Sequence, residues 1–148
     1  MTITAAASVE VATSARTVLE FALDLDRYKH ADPKILRVSS VDEPDEQGRG
    51  SVRIWATMWR LPPAPDRHDI SLERWSRVTF TGARRQPGRL MFDFTGVVEC
   101  TPTTTGTLVT HSYEIRFKGP FRLLEPRLER WLTAQIDEEV RDLAALLS

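Results

Sequence analysis

From Ile35 to Phe117 the chain shows no helical hydrophobic period. Apolar residues recur instead at alternate positions in short runs, at 35–42, 50–60, 68–74, 76–82, 89–100 and 107–117. Alternation of this kind marks a strand with one buried face. Turn-forming stretches separate the runs: Pro44-Asp45-Glu46-Gln47-Gly48, Leu61-Pro62-Pro63-Ala64-Pro65-Asp66, Gln86-Pro87-Gly88, and Thr101-Pro102 to Gly106. Connections this short join antiparallel neighbours, because a parallel pair needs a crossover of roughly a dozen residues or more. The middle of the chain is thereby constrained to an antiparallel meander, and something else must cover its apolar face.

The two ends supply the cover. Residues 3–11 alternate, with Ile3, Ala5, Ala7, Val9 and Val11 on one side, and predict a further strand. Thr13 or Ser14 then offers a helix N-cap, and Val18, Phe21, Ala22 and Leu25 follow at helical spacing. This helix should end by Tyr28, since Pro33 disfavours a helical Asp32, and a second short turn fits around 26–31. Gly119-Pro120 breaks the last strand. Beyond it Leu124, Leu128, Trp131, Leu132, Gln135, Ile136, Val140, Leu143 and Leu147 form a stripe of helical period, with Arg127, Arg130, Asp137, Glu138, Arg141 and Asp142 opposite. The pattern predicts an α+β fold: a curved antiparallel sheet of about seven strands wrapped on a long C-terminal helix, with one or two short helices after the first strand. At 148 residues the chain fits a single domain, 1–148. Folding at this size hides roughly 70% of the unfolded surface, so a core needs neither disulfide nor metal.

Composition excludes several classes. Twenty basic and twenty-one acidic residues give a net charge of −1, which argues against binding nucleic acid by bulk charge. Cys100 is the only cysteine, so no internal disulfide and no Cys/His zinc cluster around it is expected. No apolar run approaches a membrane span of roughly 18 residues. Met1 to Ala7 lacks the basic region of a secretory signal, so a cytoplasmic location is expected. No phosphate loop, nucleophile elbow or nicotinamide fingerprint occurs, and neither cofactor nor metal is expected.

The segment Ala15-Arg16-Thr17-Val18-Leu19-Glu20-Phe21-Ala22-Leu23-Asp24-Leu25-Asp26-Arg27-Tyr28, the Pro33-Lys34-Ile35 entry to the second strand, Gly106-Thr107-Leu108-Val109-Thr110 before the last strand and the long closing helix together resemble the START-like superfamily. This group is also called SRPBCC or the polyketide cyclase/dehydrase family, and includes birch-pollen-allergen-like proteins. The resemblance covers nearly the whole chain and implies the helix-grip fold. It also implies a hydrophobic pocket between sheet and C-terminal helix, holding a small lipid-, polyketide- or isoprenoid-like ligand. It implies no shared reaction, since members include both binders and enzymes.

Alternation assigns side chains to that pocket. Val109, His111, Tyr113, Ile115 and Phe117 share the inward face of the last strand, because Thr110, Ser112, Glu114 and Arg116 are polar throughout. Leu90, Phe92, Phe94, Val98 and Cys100 form the apolar set of the strand before it. In the strand at 50–60 both faces carry bulk: Trp55 and Trp59 either line the pocket or cover an outer groove or dimer contact. The candidate ligand-binding set is Trp55, Trp59, Phe92, Phe94, His111, Tyr113, Phe117 and Trp131. His111 and Tyr113 point the same way and either orient a ligand, transfer protons as a cyclase, aromatase or dehydratase would need, or are core groups satisfied by backbone or water. No dense polar pocket set is visible beside them. Asp66-Arg67-His68-Asp69 reads as a solvated or gating loop, and His30 and Asp32 as solvent-facing. Arg84, Arg85 and Arg89 form a basic turn that either binds a phosphate or is a solvated hairpin tip, and Cys100 reads as a buried structural thiol. A third reading, an interaction module, would use Trp55, Trp59 or Trp75 on an exposed face. The expected partner is a small hydrophobic ligand, the expected state monomer or homodimer.

Overall fold

The alternation at 107–117 becomes strand β7 of a single seven-stranded sheet. The computed structural model describes residues 2–83 and 92–147. In chain order the elements are β1 (Thr2–Val11), α1 (Ala15–Leu23), α2 (Leu25–Tyr28), β2 (Ile35–Asp42), β3 (Arg49–Ala56), β4 (Ala64–Glu73), β5 (Arg77–Gly82), β6 (Phe92–Pro102), β7 (Thr107–Phe117), a 3-10 segment Gly119–Leu124 and α3 (Glu125–Leu147). The sheet order is β1-β7-β6-β5-β4-β3-β2, antiparallel throughout. The meander therefore runs in sequence order, and β1 closes it by pairing with β7, Val9 opposite Val109. This is the sheet-and-helix arrangement expected from the pattern, and the helix-grip fold that the resemblance implies. No helix among the described residues is long and apolar enough to cross a membrane.

Local chemistry sets the boundaries. Ser14 caps α1, its hydroxyl accepting from the Thr17 amide at 3.2 Å. Pro120 stands in the first turn of the 3-10 segment and Pro126 in that of α3, where a missing amide does least harm. Gly48 turns the β2–β3 connection with φ of 79°, and a Cβ there would collide with the Leu72 carbonyl.

One segment departs from expectation. Ala64 to Asp69 belongs to β4, so Asp66-Arg67-His68-Asp69 is strand and not loop. Among the described residues β5 pairs with β4 only from His68 onward. Among the described residues Pro65 is paired on one side only, opposite Trp55 of β3, and a strand edge tolerates proline. The basic tip at Arg84, Arg85 and Arg89, and Leu90, lie outside the described residues.

The apolar core has two parts, and α3 joins them. Ile3, Tyr113, Ile115 and Phe117 pack with Leu128, Leu132 and Ile136 of α3 in one. Val18, Phe21, Leu25, Val52, Ile70, Val78 and Val98 gather with Leu143 in the other. Between Ile136 and Leu143, on the same helix face, lies Glu139, with no exposed surface.

Candidate functional site

A cavity of about 260 Å³ opens on the concave side of the sheet. Its walls are mostly apolar: Leu25, Val52, Ile54, Ala56, Met58, Phe80, Phe92, Phe94 and Val98, with Pro62 and Pro63 of the β3–β4 connection. Tyr28, Asp32, Lys34, His111 and Tyr113 form one polar end, and Asp66 and His68 add a second polar group. No α3 side chain lines it. The expected pocket between sheet and C-terminal helix is in fact bounded by β3 to β7, α2, the segment before β2 and the β3–β4 connection. The α3 stripe is spent on β1 and β7, and the helix reaches the cavity only through groups beneath its polar end.

Glu139 organises that end. It accepts from the Tyr28 hydroxyl at 2.6 Å and the Tyr113 hydroxyl at 2.7 Å, and from the Lys34 ammonium at 3.2 Å. His111 Nδ1 lies 2.9 Å from its Oε1. Lys34 Nζ also donates to Gln135 Oε1 at 2.6 Å and pairs with Asp32 Oδ1 at 2.8 Å, so three acceptors meet the three donors of an ammonium. It stands 4.3 Å from the centre of the Tyr113 ring. Asp32 and Lys34, 5% and 7% exposed, are interior groups, which corrects the solvent-facing reading of Asp32. The cluster also corrects the expectation that no dense polar set accompanies His111 and Tyr113.

The electrostatics follow from burial and charge together. Burial alone would push the Glu139 carboxyl up. His111 when protonated, the Lys34 charge and the hydrogen bonds from His111 and Tyr113 outweigh burial and hold it well below the usual range. Asp32 moves the other way, raised by burial and by the Glu139 charge, with Lys34 offsetting only part. Burial also opposes the Lys34 charge, but Asp32 and Glu139 prevail, so Lys34 is an ammonium and not a free amine nucleophile. Tyr28 is raised well above its ordinary value by burial and by the Glu139 and Asp32 charges. Tyr113 is raised by burial and by Asp32 and Glu139. Both are therefore neutral hydroxyls that donate. The Nδ1–H of His111 points to carboxylate, which leaves its Nε2 as the acceptor in the neutral ring.

The aromatic candidates divide. Phe92 and Phe94 line the cavity. Gly96, opposite Tyr113, lets those rings approach, since a Cβ would come within 3.2 Å of Phe94 and 3.4 Å of Tyr113. Phe117 is fully buried and packs into the core with Phe92 at 5.6 Å between ring centres. Trp131 packs half-buried against the same core part, away from the cavity lining. On β3, Val52, Ile54 and Ala56 face the cavity, and Trp55 lies on the opposite face beneath the Arg37 guanidinium at 5.1 Å. Trp59, at the left-handed φ of 53°, packs against the β1–β7 side of the core. Trp75 lies under Arg16 at 5.1 Å. All four tryptophans are half-buried, so no exposed aromatic patch supports the interaction-module reading. Burial, with the Glu99 charge adding, pushes the Cys100 thiol up to about 11, as an inert thiol requires. Among the described residues no group of three His, Cys, Asp or Glu is placed to hold a metal ion.

Tyr28, Asp32, Lys34, Gln135 and Glu139 were not assigned to the site from sequence. One signal existed: Glu139 stands three after Ile136 and four before Leu143, inside the apolar stripe. Nothing comparable marks Tyr28, Asp32 or Lys34, whose partners lie far along the chain.

Known structures share this fold at low identity. The di-domain aromatase/cyclase StfQ of the steffimycin biosynthetic pathway superposes with a TM-score of 0.76 at 15% identity, over 99% of this chain and 51% of that one. The chain thus spans about half of that protein. A START superfamily protein from Mycobacterium smegmatis gives 0.76 at 15% identity, covering 98% of this chain and 97% of that one. The Zhui aromatase/cyclase from Streptomyces sp. R1128 gives 0.71 at 13% identity, covering 99% and 92%. No curated protein sequence matches significantly. The family model described as polyketide cyclase / dehydrase and lipid transport matches residues 2–148, and the chain belongs to that family.

Proposed function

We propose that the protein binds a small, mostly apolar ligand in the sheet cavity and sets the ligand's polar end against Tyr28, His111 and Tyr113. The carrying observation is a 260 Å³ space with apolar walls and one hydrogen-bonding end. A few fixed polar groups in an apolar cleft are how small-molecule sites obtain orientation. Native mass spectrometry of the purified protein is expected to show a solvent-extractable adduct, or, after extraction, stoichiometric uptake of a two-ring aromatic. Absence of both overturns the proposal.

A second reading, a polyketide cyclase, aromatase or dehydratase, is favoured by the Glu139–His111 contact at 2.9 Å. A carboxylate on Nδ1 orients the ring and leaves Nε2 to act as a general base, beside the Tyr113 hydroxyl oxygen, whose proton goes to Glu139. Holding a flexible poly-β-ketone near such a base supplies much of what cyclisation needs. On a poly-β-ketone substrate, His111→Ala and Tyr113→Phe should each lower kcat by about a hundredfold. Rates unchanged in folded variants, or an inactive wild type, count against it.

A further inference from the structure

His68 lies on β4, 7% exposed, and is one of the residues that line the cavity. Its Nε2 stands 2.9 Å from Asp66 Oδ2, on the same strand face two residues earlier. Asp66 also lines the cavity and keeps partial contact with solvent. Nδ1 of His68 is buried without a hydrogen-bond partner. A buried polar atom left in that condition costs free energy, and native structures rarely keep one without a use. The carboxylate settles which nitrogen carries the proton. Asp66 accepts from Nε2–H, so Nδ1 of the neutral ring presents a lone pair. Such an atom takes a donor and rejects a carbonyl or ether oxygen.

The place of His68 matters as much as its tautomer. Its ring meets Phe94 edge-on at 5.1 Å, and Phe94 lies 5.5 Å from Tyr113, itself 4.6 Å from His111. The cavity lining thus reads imidazole, aromatic ring, polar cluster. A planar ligand against Phe94 would reach His68 with one edge and the Glu139-anchored cluster with the other.

We propose that the Asp66–His68 pair is a second polar subsite of the cavity, specific for a ligand hydroxyl (phenol or enol) that donates to His68 Nδ1. This rests on the ligand-binding role of the cavity and adds a chemical requirement to it.

The test compares three probes by titration calorimetry on the full chain: 2-naphthol, 2-methoxynaphthalene and naphthalene. The ether keeps the oxygen but has no proton to donate. Wild-type protein is expected to prefer 2-naphthol over the ether by about tenfold, the order of one hydrogen bond in an apolar site. His68→Phe should abolish that preference, so that 2-naphthol and the ether bind within about twofold of each other. Equal affinity for all three probes in the wild type overturns the subsite alone, as does a preference that survives His68→Phe. Binding of none overturns the cavity reading and the subsite with it. A variant-free measurement covers misfolding of His68→Phe. Imidazole nitrogen-15 spectra should show His68 with Nε2 protonated and Nδ1 bare, Nδ1 shifting with 2-naphthol and not with the ether. The opposite tautomer, or no shift, overturns the assignment.

Discussion

Glu139 is the residue on which the polar end depends. It has no exposed surface, and four donors converge on its two oxygens. Replacing a charge so paired leaves its partners buried and uncompensated. Glu139→Gln and Lys34→Met should therefore each cost about 3 kcal/mol in urea unfolding. The double variant should cost clearly less than the two together, because each single change strands the other charge. Additive losses would mean that the two groups do not interact. The acid limb carries a second signature. The folded Glu139 carboxyl is held below its ordinary 4.5, so its contribution is complete above that value and is lost as pH falls toward the lower folded value. Glu139→Gln should flatten the fall of unfolding free energy below pH about 4.5 relative to wild type, and an unchanged slope would contradict the assignment. At this scale the sequence was half legible. His111 and Tyr113 were visible because β7 alternates without exception. Asp32 and Lys34 were not, since a charged residue next to Pro33 looks solvent-bound until α3 places a carboxylate over it. The polar cluster is a product of tertiary approach between α3, β7 and the segment before β2, and no local pattern encodes it.

Among the elements, α3 shows how far periodicity reaches. The stripe read from sequence is the buried face, and Leu128, Leu132, Ile136 and Leu143 have no exposed surface. Period alone did not say which strands the helix covers. Side-chain volume decides that: Ala5 and Ala7 on β1 are small, and the helix seats on β1 and β7 while the far strands curve around an open space. Leu132→Ala should cost about 3 kcal/mol by equilibrium denaturation, the usual cost of emptying a fully buried leucine site. Leu123→Ala, at a side chain 84% exposed just before the helix, should change stability by less than about 0.5 kcal/mol. Comparable losses at both positions would contradict the packing. β4 marks the opposite limit. Four prolines between 62 and 87 and a charged cluster suggested loops, yet Ala64 to Asp69 pairs residue by residue with β3. Proline signals a break only where both sides of a strand are paired, and sequence does not reveal which positions those are.

In the whole molecule the empty space is itself a structural choice. The apolar walls around 260 Å³ include Ala56, a small residue on the inward face of β3 between larger neighbours. Unfilled apolar volume forfeits packing contacts, so a chain selected for stability alone would fill it. Ala56→Leu adds carbons at the cavity wall with no polar group to satisfy. Each newly buried methylene contributes about 0.8 kcal/mol, and imperfect fit offsets part of this. Unfolding free energy should therefore hold or rise by about 1 kcal/mol, while affinity for a two-ring aromatic falls at least about tenfold through lost volume. Calorimetric titration and urea denaturation on the same preparation separate the outcomes. A stability loss above about 2 kcal/mol would mean that the space at Ala56 is already filled. Unchanged affinity would place the ligand elsewhere on the fold. The predicted combination, more stable and less able to bind, is the mark of a cavity kept open for an occupant.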